Sequence, residues 1–124
     1  MNDLIGLEYR WGAHPRDGSG RTDCFQLVCE IRSRLGLSDY SEKFAWAYWL
    51  YDEKTLRPIR MARWLMHEGK RLKMPVVGAV ALLAESDNAA LGTVTDQGVI
   101  CIAPGGCVVS VPASRVSAYY FWVN

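Results

Sequence analysis

Apolar positions change their spacing near the middle of this chain, from helical periods before Pro75 to short β-rich runs after it. Cys24, Leu27, Val28, Ile31 and Leu35 recur at i, i+3, i+4, i+7 and i+11, which is one face of a helix. Thr22 or Asp23 offers the N-cap oxygen, and Gly36 is placed to end the helix. After a polar break at 37–41, the stretch Glu42 to Tyr51 is expected to form a second helix carrying Phe44, Trp46, Tyr48, Trp49 and Tyr51. A third is expected from Pro58 at its first position to Gly69 at its end, with Ile59, Ala62, Leu65 and Met66 apolar. Val76 to Leu83 then reads as a strand covered on both faces. Leu91–Thr95, Gly98–Ala103 and Cys107–Pro112 are separated by Asp96-Gln97 and Pro104-Gly105-Gly106, turn chemistry that makes the three runs an antiparallel meander. Ala118–Val123 is a final aromatic strand. Helices first and strands afterwards is the pattern of an α+β fold, with the helix of Cys24 packed on the sheet.

At 124 residues, half of them hydrophobic, the chain is one domain, 1–124, long enough to bury a core without disulfides or a metal. Its 14 basic and 13 acidic side chains give no electrostatic case for nucleic acid or an anionic membrane as partner. No apolar run approaches the ~20 residues of a spanning helix, and the N-terminal residues do not read as a cleaved signal, so synthesis in the cytosol without export is expected. Cys24, Cys29, Cys101 and Cys107 contain no C-x-x-C pair and, with His14 and His67, match no zinc-ligand spacing. Neither a metal nor another cofactor is therefore expected.

The candidate chemistry centres on Cys24. Gly12 to Thr22 reads as a loop, and it delivers the cysteine into the first turn of a helix, where unpaired N–H groups and the dipole favour a thiolate. A nucleophilic thiol needs a base. His14 in the loop could fold back towards Cys24, although it adjoins Pro15 and has no evident orienting partner, and His67 falls late in the third helix, where positive charge suits the dipole. Arg57, Arg60, Arg63, Lys70, Arg71 and Lys73 form a basic cluster around that helix, read as a solvated face or as part of an interface. Five aromatics in eight positions cannot all face inward, so some are expected to cover a neighbouring element or a partner.

Tyr9-x-Trp11-Gly12, a short loop, Asp23-Cys24-x-x-Leu27-Val28, a helix ending in Leu35-Gly36, and Pro75-x-x-Gly78 before a meander resemble the NlpC/P60 cysteine peptidases, a papain-like fold. The resemblance is nearest to the form found in bacteriophage tails, where an aromatic such as Phe25 often follows the cysteine. It implies Cys24 as nucleophile, with Tyr9 beside it, and bacterial cell wall as substrate. It also places the family's histidine base on Ala90 and its orienting residue on Ile102, neither of which can relay a proton. The family's Gly-Asp aspartate falls on Ala79, and its glycine two after the cysteine on Gln26.

The reading that follows from the resemblance is a catalytically silent domain serving as a structural part of a phage tail tip or baseplate, located in the virion. Its partners would be hub, tube or fibre-connecting subunits, met through Trp46, Trp49, Arg60 and Arg63. The alternatives are an active peptidase in which Cys24 uses a displaced base such as His14, and a module that binds peptidoglycan stem peptides without cutting them.

Overall fold

The computed structural model describes residues 1–50, 52, 54–55, 58–85 and 88–124. Tyr51 and Arg57 lie outside the described residues. So does the side chain of Trp49.

The chain folds as α+β. A short helical turn, Asn2–Leu4, precedes β1 (Glu8–Tyr9), which pairs in parallel with β2 (Arg21–Thr22). Helix α1 (Cys24–Arg34) follows at once, its N-terminus capped by Asp23, whose carboxylate accepts the Gln26 N–H at 2.7 Å. Gly36 takes a φ of +73°, the left-handed conformation that stops a helix. Residues 41–46 are turns and only α2 (Ala47–Leu50) is helical, which corrects the expectation of one helix over 42–51. Three aromatic rings in this stretch settle locally: Phe44 lies parallel to Trp64 at 5.9 Å, Trp46 meets Trp64 edge-on at 4.9 Å, and Tyr48 tilts against Trp11 at 5.1 Å. Wrapping those rings around the neighbouring elements bends the backbone away from a continuous helix.

Helix α3 (Pro58–Glu68) buries Leu65 and half-buries Ala62, while Met66, one position on, is 70% exposed. The basic stretch after it is no helical turn. Gly69–Leu72 forms β3, an edge strand whose exposed Lys70 and Arg71 discourage pairing with other chains. β4 (Val80–Glu85) precedes the expected three-run meander of β5 (Asn88–Thr95), β6 (Gly98–Ile102) and β7 (Val108–Val111) and extends it to four strands, and β8 (Tyr119–Val123) returns to insert between β3 and β4. The resulting sheet has the order β3-β8-β4-β5-β6-β7, antiparallel throughout. Val76 and Val77 precede β4 as exposed loop residues, because Gly78 turns the chain at a φ of +92°.

Alternation along the strands sorts the core into two layers. Val80, Leu82, Leu91, Phe121 and Val123 face the helices and pack with Val28, Cys29, Tyr40, Phe44 and Leu65. Ile100 and Val108 continue that face under Leu4, Leu27 and Ile31. Ala79, Ala81, Val94, Val99, Cys101 and Tyr120 face the other way, partly covered by the segment 113–118. Val80, Ala81 and Leu82 are thus buried on both faces of β4, while Val76 and Val77 of the same apolar run are not.

One polar side chain ties the layers together. Arg32 on α1 is 2% exposed and donates from Nε to the Ser38 carbonyl, from Nη1 to Gly78 and from Nη2 to Val123, at 2.9, 2.5 and 2.9 Å. Its guanidinium also lies over the Tyr40 and Trp122 rings.

Candidate functional site

Asp23 organises the entry to α1. It is almost fully buried, yet every contact of its carboxylate is a donor: Gln26 N–H on Oδ1, with Gly12 N–H at 2.9 Å and the Tyr48 hydroxyl at 2.5 Å on Oδ2. The backbone reinforces this, since Asp23 N–H reaches the Ala13 carbonyl and Arg10 N–H reaches Thr22. The glycine of Tyr9-x-Trp11-Gly12 is therefore held directly on the residue before the cysteine, and Trp11 rests on the tyrosine that completes the set. Burial raises the Asp23 carboxyl above its ordinary value, against the lowering effect of these donors. Tyr48 is raised strongly, first by burial and then by the adjacent carboxylate. This pairing of Tyr48 with Asp23 carries no signal in sequence spacing. Only the fold brings residues 25 positions apart into contact.

Cys24 sits at the start of α1 against β5. It is partly exposed as a residue and packs on the core layer that holds Val28 and Leu91. The protein around its sulfur pushes the thiol up to about 11, chiefly by burial. The Leu91 backbone N–H opposes the rise, the Asp23 carboxylate adds to it, and the N–H groups of the first helical turn oppose it again. At neutral pH the thiolate fraction falls from the few per cent of a free cysteine to on the order of one in ten thousand. Desolvation thus outweighs the helix dipole.

The residues proposed to assist Cys24 are placed on three different elements. His14 is engaged in its own loop: its backbone N–H donates to Asp17 Oδ2, and its ring Nδ1 accepts the Arg16 N–H at 3.0 Å. Arg16, two positions on, pairs with Glu30 on α1. His67 is exposed in the last turn of α3. Tyr9 is half-buried in β1, with its N–H on the Gly106 carbonyl.

Ala90, aligned with the family's base, belongs to the row of β5 that faces away from α1, where it lines a groove with Leu83 and Cys101. The β5 residue that faces the thiol is Leu91. Beyond it the helix-facing row continues with Thr93, whose buried hydroxyl has no hydrogen-bond partner among the described residues. On β6 the same face presents Ile100 and Ile102. None of Leu91, Thr93, Ile100 and Ile102 titrates near neutral pH, so this wall of the site offers Cys24 no general base.

Trp46 and Trp64 are half-buried against each other, which places Trp46 in an intramolecular contact, whereas Arg60 and Arg63 are exposed on α3. No helix is long and apolar enough to cross a membrane, and no group of three metal-ligating side chains occurs, both among the described residues. No protein-family model, curated protein or solved structure gave a significant match to the chain.

Proposed function

We propose that the chain is a catalytically silent NlpC/P60-like domain of papain-like fold that serves as a structural part of a bacteriophage tail tip or baseplate. The observation that carries the silent half of this reading is the wall opposite Cys24. A cysteine at a capped helix N-terminus packs in the same core layer as Leu91, and the helix-facing row of β5 carries Leu91 and Thr93, neither of which can act as a general base. Burial holds the Cys24 thiol above its ordinary value, with no imidazole on this row to lower it. The phage setting is carried by the motif resemblance around Tyr9-x-Trp11-Gly12 and Asp23-Cys24.

Two measurements test the two halves separately. Purified protein incubated with peptidoglycan sacculi and with free stem peptides is expected to release no new amino termini. Cleavage that vanishes in Cys24→Ala would end the claim of silence. Mass spectrometry of gradient-purified virions, with immunogold labelling, is expected to find the chain at the tail tip. Its absence from virions would remove the structural role while leaving the silent site intact.

A further inference from the structure

The sheet face turned away from the helices carries a groove of about 500 Å³, bounded by Leu83, Ala90, Cys101, Val109 and Val111 and by the segment after β7 with Arg115, Val116 and Ser117. That volume falls within the range of small-molecule sites. Nine of its eleven described lining residues are apolar, counting Cys101, and the two exceptions, Arg115 and Ser117, are close neighbours in sequence. Arg115 is exposed and makes no ion pair among the described residues. Among the described lining residues there is no carboxylate, and the one charge they bring to the groove is the positive charge of Arg115.

An apolar trough with one cation to its side complements a single alkyl chain that ends in an anion. A peptide lying there would carry an N–H and a C=O at every residue, and the outer edge of β7 beside Val109 and Val111 meets such groups along one side only. An alkyl chain brings no such groups. A bilayer surface presents headgroups to a protein, and would meet the exposed Arg115 without filling the recess.

We propose that this groove binds a free fatty carboxylate, the chain lying over Ala90 and Cys101 and the carboxylate on Arg115. The site is independent of Cys24, which lies on the opposite side of the sheet.

The test is calorimetric titration of the whole chain with dodecanoate below its critical micelle concentration, with dodecyltrimethylammonium as the cationic counterpart. Dodecanoate is expected to bind saturably at one-to-one stoichiometry, losing about fourfold in affinity per methylene removed. Arg115→Gln is expected to weaken it about fivefold, the scale of an exposed ion pair, without affecting the cationic amphiphile. Ala90→Trp, which fills the trough, is expected to abolish binding while circular dichroism stays that of the wild type. Equal affinity for the two amphiphiles, or an unchanged affinity in Arg115→Gln, would overturn the proposal. So would tighter binding of an apolar hexapeptide with a free carboxylate, or binding to phosphatidylglycerol vesicles without saturable dodecanoate binding.

Discussion

At the scale of single residues, Cys24 and Arg32 show how far burial overrides local chemistry. The helix N-terminus makes Cys24 look activated, and that much is legible in the spacing of Asp23, Leu27 and Val28. Its surroundings are not legible there, because the residue facing it from β5 is decided by which row of the strand turns inward. Leu91, one position beyond the aligned Ala90, occupies that row. At neutral pH, iodoacetamide is expected to label the exposed Cys107 well before Cys24, as peptide mapping of a time course can show. In Leu91→His, an imidazole placed opposite the thiol should accelerate Cys24 labelling at least about tenfold, the effect of an opposing charge that lowers a pKa by a unit or more. An unchanged rate would mean that Leu91 does not face the sulfur. Arg32 is the reverse case: mid-helix, it reads as an exposed charge, yet it is buried and donates to carbonyls of three separate segments. Arg32→Met would strip the donor from the Ser38 and Gly78 carbonyls and leave Val123 with the Tyr40 hydroxyl alone, and a loss of about 3 kcal/mol is expected in urea unfolding. Tyr40→Phe removes one of two donors to the Val123 carbonyl and should cost about 1 kcal/mol. A double-mutant cycle between the two measures their shared acceptor.

At the scale of elements, the four-stranded meander and α1 are readable because a single periodicity serves each from end to end. The misses have a common cause. β3 is four residues of an edge strand, with charges that guard its exposed side, so nothing in Gly69-Lys70-Arg71-Leu72 looks like a strand until β8 lies beside it. The β1–β2 pair is two residues on each side, below the length at which alternation is visible. The aromatic stretch at 42–51 satisfies a helical spacing, but the rings find better partners in Trp11, Phe25 and Trp64 than a straight helix allows.

The anchoring of α1 to its flanks yields a pH prediction. Glu30 is 3% exposed and bonded to Arg16 at 2.7 Å and to Arg34 at 2.8 Å, while Arg34 also forks onto Asp3. The Arg16 hydrogen bond first, and the Arg34 bond beside it, hold the Glu30 carboxyl below its ordinary 4.5 against the effect of burial. A folded pKa below the unfolded one contributes stability that is present above about 4.5 and lost as pH falls through the lowered value. Asp23, raised by burial, works with the opposite sign: the folded state holds its proton more tightly, and that contribution fades as pH rises through the raised value. Thermal unfolding followed from pH 7 down to pH 3 should therefore show a steeper loss in wild type than in Glu30→Gln. Asp23→Asn should flatten the profile only above the ordinary carboxyl range.

For the molecule as a whole, the aromatics that exceed a small domain's usual share are mostly consumed internally, around Phe44 and Trp64 and beneath Arg32. Trp46 joins them, so the exposed candidates for the proposed protein interface are Arg60 and Arg63 on α3 with the neighbouring Met66. Trp46→Ala is expected to lower stability by about 3 kcal/mol through lost packing. An Arg63→Ala variant should leave stability within about 0.5 kcal/mol of wild type, and it should weaken co-elution with a hub subunit in size-exclusion chromatography. Unchanged co-elution would move the interface off α3. The insertion of β8 between β3 and β4 has a further consequence, for how the protein is made. Until β8 emerges from the ribosome, β3 and β4 each present an unpaired edge, and the Arg32 guanidinium lacks the Val123 acceptor. About forty residues separate the start of β4 from the end of β8, so at roughly 5–20 residues per second the half-built sheet stays open for about two to eight seconds. In that interval its bare strands are substrates for holdase chaperones and for pairing with neighbouring nascent chains on the same message.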